Sequence, residues 1–226
     1  MTFEHLRDFD DRLQATARGP AVPTIEELQL KPVIKDIAGS RRGLILVTGA
    51  TGSGKSSTLA AMVEHINQTK NDHILTVEDP VEFVYQSKKS LITQREIGND
   101  SDNFLDALRS ALRQDPDVLL VGEIRDKETA EIAVRASLTG HLVLSTLHTN
   151  DAISSAMRLI DMGVDGYLVA SSVRAVVAQR LVRKICDVCS APHEPDTQQR
   201  ALLQQWMGAS STDATFYRGK GCSRCN

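Results

Sequence analysis

Eight consecutive residues, Gly49-Ala50-Thr51-Gly52-Ser53-Gly54-Lys55-Ser56, fit the pattern G-x-x-x-x-G-K-[ST] without a mismatch. The chemistry this spacing supports is phosphate binding. Glycines let the backbone turn tightly enough for successive amide N–H groups to converge on phosphate oxygens. A helix opening at the end of the pattern adds the positive end of its dipole. Lys55 is expected to reach the β- and γ-phosphates of a nucleoside triphosphate, and Ser56 to place its hydroxyl on Mg²⁺. Ser57 carries the loop into the helix and completes the set of expected nucleotide contacts.

Hydrolysing ATP needs, besides Mg²⁺, a positioned water and positive charge around the transition state. Glu123 ends the run Leu119-Leu120-Val121-Gly122 and is expected to orient or deprotonate that water; Gly122 stands where an Asp often precedes the catalytic Glu. Glu78, Asp79 and Glu82 crowd three carboxylates into five residues, which is costly unless a cation sits among them. Mg²⁺ placement or support of the water is the expectation for them, against the plainer reading of an acidic turn around Pro80. His141 and His148 bracket a later strand, where a histidine can sense the γ-phosphate or hydrogen-bond the glutamate, although a structural histidine is as common there. Thr146 and Thr149 offer hydroxyls to the same cluster. Arg113 and Arg180, with Arg95, Arg109 and Arg125 behind them, are candidates to complete a neighbouring subunit's nucleotide site.

The tail holds a separate constellation. Cys186-x-x-Cys189 and Cys222-x-x-Cys225 have the pairing of a tetrahedral Cys₄ zinc site, structural because no open ligand position is suggested.

Elements of alternating type must position these groups. Gly43 to Thr48 reads as a buried strand leading into the phosphate loop, and a helix follows it. Further strands are expected at 73–77, 118–121 and 142–146, with helices over 101–114, 127–138, 152–162 and 167–182. Polar groups gather just past each strand's C-terminal end, where ligands bind in parallel sheets. The fold class is therefore α/β, a mostly parallel sheet flanked by helices. Before it, Phe3, Leu6, Phe9 and Leu13 keep helical spacing, residues 18–23 read as a linker, Thr24 and Glu27 as a capping box, and 32–38 as a short helix. The expected division is a linker or packing strap over 1–40, a nucleotide core over 41–185, and a tetracysteine subdomain over 186–226.

Bulk properties narrow the class. A net charge of −3 and 4% aromatic residues argue against a nucleic-acid motor, for which phosphate neutralisation and base stacking would be needed. No apolar run approaches the roughly 20 residues that span a bilayer. The first residues carry no signal peptide, so a cytoplasmic location is expected, and four cysteines there are metal ligands sooner than disulfides.

The phosphate loop, the box at 77–82, the stretch from Leu112 to Asp126, Thr139-Gly140-His141, the stretch from Ser145 to Asn150, and Gln179-Arg180-Leu181 together resemble the secretion ATPases of type II secretion and type IV pilus systems (the GspE, PilB and PilT group). The resemblance covers about 24–226. It implies a RecA-like P-loop NTPase core with an Asp box, an atypical Walker B carrying Glu123, and a His box from His141 to His148. It implies a homo-hexamer that hydrolyses ATP at the bacterial inner membrane, reaching it through a platform protein and a cytoplasmic adaptor, with no nucleic acid involved. The four cysteines resemble the assembly and export members, which carry a zinc subdomain here. Gln94-Arg95-Glu96-Ile97-Gly98 is closer to the retraction motors. Assembly or export is the expectation, with pilus retraction, or a nucleotide-binding scaffold without turnover of its own, as alternatives. Relatives carry an N-terminal domain and a longer C-terminal end, so the chain is expected to be a C-terminal motor fragment.

Overall fold

The computed structural model describes residues 21–211 and 214–225, so the helix expected around Phe3 to Leu13 lies outside the described residues. The chain divides into two compact units, Met1–Arg180 and Leu181–Asn226.

The first unit is built on six parallel strands in the order β3-β2-β4-β5-β1-β6. They are β1 (Gly43–Thr48), β2 (His73–Glu78), β3 (Leu91–Glu96), β4 (Val118–Val121), β5 (Leu142–Leu147) and β6 (Val173–Ala178). Helices α1 (Val33–Ala38) and α2 (Lys55–Thr69) cover one face. Helices α3 (Phe104–Ala111), α4 (Lys127–Leu138), α5 (Ala152–Asp161) and α6 (Gly166–Ser172) belong to the other. Burial on both faces explains the near-continuous apolar composition of β1, β4 and β5. Side chains alternate between two cores: Leu44 and Leu46 join one, Ile45 and Val47 the other.

Helix starts are set by local chemistry. Asn103, Asp126 and Asp151 each accept from a backbone amide three residues on, satisfying a donor that the first turn leaves free. Thr24 and Glu27 make the reciprocal hydrogen bonds of a capping box, yet around a turn, with no α-helix following. Ile25, Ile34 and Ala38 then pack into the core of α2.

Two expectations need correction. Residues 167–182 are not one helix: α6 stops at Ser172 and the chain continues as β6, hydrogen-bonded to β1. Val173, Val176 and Val177 are β-branched, and the open edge of β1 offers their backbone a ladder that periodicity does not reveal. Strand β3 is also additional. It is a polar edge strand (Thr93, Gln94, Arg95, Glu96) whose residues are mostly only half-buried.

The C-terminal half of α2 carries two buried polar residues, Glu64 and Asn67. Asn67 donates to the Gln86 carbonyl at 2.8 Å and accepts from the Lys88 amide at 2.9 Å. Glu64 pairs with the Lys88 ammonium. These bonds hold the far end of the 79–90 segment against α2. Burial alone would raise the Glu64 carboxyl, but hydrogen bonds from Lys88, Gln68 and Asn67 outweigh it and hold the group below its usual range. A lowered folded-state pKa contributes stability at neutral pH that is lost as pH falls through the folded value. Lys88→Met is therefore expected to cost about 1–2 kcal/mol at pH 7, discounted because Lys88 is half exposed, and progressively less in acid, where Glu64 is protonated with or without its partner. Urea unfolding at several pH values checks this. A loss independent of pH would assign the effect to packing.

The second unit is small. Strands β7 (Ser190–Pro192) and β8 (Tyr217–Gly219) pair antiparallel, and α7 (Thr197–Met207) opens on a capping box between Asp196 and Gln199. One cysteine pair immediately precedes β7 and the other follows β8, so the antiparallel ladder closes the 32-residue separation and sets the pairs side by side. No described helix is long and apolar enough to cross a membrane.

Candidate active site

Parallel strands bring all their C-terminal ends to one edge of the sheet. There β1 delivers the phosphate loop, β2 the acidic residues, β4 Glu123, β5 His148 and β6 Gln179.

The loop has the backbone its glycines permit. Gly49, Gly52 and Gly54 take φ of 148°, 75° and 86°, and Gly54 caps α2 in the left-handed region. A Cβ on Gly49 would lie 2.3 Å from the Gln179 carbonyl oxygen, so no side chain fits. Ala50, Thr51 and Gly52 are exposed on the loop's rim, and Ser57 is half-buried at the helix start. Lys55 is buried and donates to the carbonyls of Gly49 and Ala50 at 3.0 and 3.1 Å. Burial pulls its ammonium down, against the pull of Glu123 and Glu82, which marks all three as neighbours. Ser53 Oγ is buried with no hydrogen-bond partner among the described residues, an orphaned group that a phosphate oxygen would satisfy.

The acids arrive from two strands. Ser56 donates to Glu82 Oε1 at 2.7 Å, so the expected Mg²⁺-binding hydroxyl and a carboxylate already share one position. Glu78 is buried at the end of β2, and burial pushes its carboxyl above the usual range, opposed by hydrogen bonds that include one from Gln94 Nε2 at 3.3 Å. A cation nearby would draw the charged form back. Gln94 and Glu96 of β3 hold this segment: Gln94 accepts from the Tyr85 amide and donates to the Phe83 carbonyl, and Glu96 accepts from the Val81 amide.

The structure also accounts for the absent acid on β4. A Cβ on Gly122 would stand 3.3 Å from the Val77 carbonyl oxygen, whose own partner is the Gly122 amide at 2.9 Å. A side chain there fits only if Val77 gives by a few tenths of an ångström, and the carboxylates beside β4 come from β2 and its loop.

Glu123 itself pairs with the Arg125 guanidinium through Oε1, and His148 Nε2 stands 3.6 Å from Oε2. Asp79, exposed, contributes to the field at Arg125. Thr146 donates to the Gly122 carbonyl at 2.9 Å, whereas Thr149 bonds Ser155 at the start of α5.

Several expected members are elsewhere. His141 precedes β5 and lies at the opposite end of the strand from His148, its Nδ1 3.0 Å from the Ala136 carbonyl in the α4 terminus. Six strand residues span about 20 Å, so two histidines bracketing a strand do not share a site within one chain. Arg113 is exposed on the single 3-10 turn (Leu112–Gln114) before β4, again at the far edge. Arg109 pairs with Asp106 and Glu128. Arg180 is exposed just past β6, near Asp151. Three contributors were not anticipated: Gln94, the Glu64–Asn67–Lys88 clamp and the Gln179 side chain. Only the clamp had a signal, two polar residues spaced i, i+3 within the apolar run of α2.

In the second unit the four sulfurs of Cys186, Cys189, Cys222 and Cys225 lie within 4.8 Å of one another, with two of the contacts at 3.6 Å. Four thiolates around one tetrahedral zinc at about 2.3 Å would stand about 3.8 Å apart, so the donor set fits that ion. Backbone amides of Cys189 and Val188 draw the Cys186 thiol down to about 7. The Cys222 backbone acts likewise on Cys225, but the Cys189 and Cys222 sulfurs prevail and push it up to about 12.

Comparison with known proteins adds the following. A family model described as "Type II/IV secretion system protein" matches residues 24–226. The type II secretion system ATPase E of Vibrio cholerae is 51% identical over 185 residues, 81% of this chain and 35% of that protein. The type IV pilus retraction ATPase PilT of Pseudomonas aeruginosa is 49% identical over 179 residues, 76% of this chain and 52% of that one. The chain thus spans between about a third and a half of the length of these curated relatives. The crystal structure of the pilus retraction motor PilT with bound ADP aligns at a TM-score of 0.72 and 48% identity, over 75% of this chain and 51% of that one.

Proposed function

The chain belongs to the type II/IV secretion system protein family, and from that premise we propose that it is the ATP-hydrolysing core of a motor for type IV pilus assembly or type II pseudopilus extension. The core is RecA-like, a six-stranded parallel sheet flanked by helices. The observation that carries the catalytic reading is the meeting of Lys55, Ser56, Glu82 and Glu123 at one edge of that sheet.

In this reading Lys55 and the loop amides hold the β- and γ-phosphates, and Ser56 with Glu82, Glu78 and Asp79 holds Mg²⁺, directly or through water. When bound, the ion neutralises charge on the phosphate oxygens. Glu123 orients the attacking water and accepts its proton as the bond between the γ-phosphorus and the ADP oxygen breaks. His148 steadies the second oxygen of Glu123. His141, Arg113 and Arg180 have no role within one chain, and a role for them is proposed across a subunit boundary of a homo-hexamer. The motor would sit on the cytoplasmic face of the inner membrane through a platform protein and an adaptor. The proposed organisation of the chain is a strap over 1–40, a core over 41–185 and a structural zinc subdomain over 186–226.

Direction of work is argued from the second unit. The four cysteines favour assembly or export, since the zinc subdomain characterises those members. Retraction is the second reading, favoured by the likeness of 94–98. In this chain, however, Gln94 of that stretch is occupied in holding Glu78, Phe83 and Tyr85.

The test is steady-state phosphate release by the purified chain, with its mass followed by light scattering with and without ATP and Mg²⁺. Turnover accompanied by a hexamer supports a complete motor core. Nucleotide binding by an inactive monomer would make the chain a nucleotide-binding scaffold, and no binding at all would overturn the reading. In cells, deleting the gene should abolish filaments or secretion; excess filaments would identify a retraction motor.

A further inference from the structure

The last residue but one of the first unit touches the phosphate loop and the elements flanking it at three points. Gln179 follows β6, and its amide donates to the Thr48 carbonyl at 2.8 Å, where β1 enters the loop. Its side-chain Oε1 accepts from Thr58 Oγ1 at 2.7 Å, inside the first turn of α2, and Thr58 is fully buried. Its Nε2 donates to the Gly54 carbonyl at 3.4 Å. The fit is tight, since a Cβ on Gly54 would meet that Nε2 at 2.9 Å.

We infer that Gln179 is a positioning residue for nucleotide retention, acting by aiming the backbone amide of Lys55. In a trans peptide the C=O and N–H point in opposite directions. Anchoring the Gly54 carbonyl on one side therefore turns the Lys55 N–H to the other, into the cradle where phosphate oxygens are held. Gly54 sits in the left-handed region, and glycine there has wide freedom to rotate its peptide. The Thr58 amide, which donates to the Gly54 carbonyl at 3.0 Å, limits that freedom first; the amide of Gln179 adds a second donor, and the Thr58 hydroxyl decides which end of that amide faces Gly54. Both hydrogen bonds are needed, because a free Oε1 lets the amide swing away. The inference rests on the reading that this loop binds Mg²⁺–nucleotide.

The experiment measures release of N-methylanthraniloyl-ADP, with Mg²⁺, from the full chain and from Gln179→Met and Thr58→Val. Methionine keeps the length and bulk of glutamine without its amide, and valine keeps the shape of threonine without its donor. Each is expected to release the probe about tenfold faster, the effect of losing roughly 1.4 kcal/mol of hydrogen bonding. The double variant should be no faster than the worse single one, because both break one linkage. The thermal midpoint without nucleotide separates positioning from packing. Release at the unaltered rate by folded Gln179→Met, or additive effects in the double variant, would overturn the inference. If the unaltered chain fails to bind the probe, the nucleotide reading falls and this inference with it.

Discussion

Exchanging Glu123→Gln is expected to lower phosphate release by about 10²- to 10⁴-fold while nucleotide affinity stays near that of the unaltered chain. The substitution preserves shape and removes the negative charge, and with it the capacity to accept a proton. Affinity is spared because the contacts that hold nucleotide are assigned to the loop and Lys55, which donates to loop carbonyls and not to Glu123. The variant also loses its ion pair with Arg125. That pair is largely exposed on the arginine side and is worth little to the fold, so the thermal midpoint should hardly move. Single-turnover hydrolysis and equilibrium binding of a fluorescent nucleotide give the two readouts. Activity retained within about threefold would move the proton-accepting role off Glu123, since general-base contributions are far larger than that. Glu78 would then be the group to examine, because it ends the neighbouring strand and burial already pushes its carboxyl above the usual range.

Stripping zinc from the purified chain should unfold its second unit and leave the first intact. Structural zinc sites contribute on the order of 10–16 kcal/mol of apparent binding energy, against which the rest of this unit has little to set. Its two strands are three residues each, no residue of α7 is buried, and Leu202 and Trp206 stand exposed. Chelation should therefore release one zinc per chain and abolish amide protection over 190–219. Protection of β1, β4 and β5 should persist, because their cores contain no residue beyond Val177. Cys189→Ser should do the same without a chelator. Protection that survives complete chelation would mean that the four sulfurs are gathered by the fold and do not hold it.

Much of this was legible because local chemistry and tertiary role agree. The phosphate loop needs its glycines at fixed positions whatever surrounds it, and β1, β4 and β5 announce burial on both faces through unbroken apolar runs. The misreadings fall where tertiary pairing outranks local preference. In 167–178, Leu168, Val169, Val173 and Val176 keep a helical spacing, and only the free edge of β1 decides that the last six residues extend. Gln179 was accordingly placed at a helix end, when it closes over the phosphate loop. Strand β3 escaped notice because an edge strand needs no apolar run, and its polar side chains are explained only by the acidic segment they hold. His141 is a different case: the length of β5 alone sets it at the far end of the strand from His148.

The missing side chain at Gly122 also bears on how the site can change. An aspartate there would press on the Val77 carbonyl, which would have to give by a few tenths of an ångström beside the carboxylates of β2. An acid at position 122 and the placing of β2 are thus tied, so that a change at one is felt at the other.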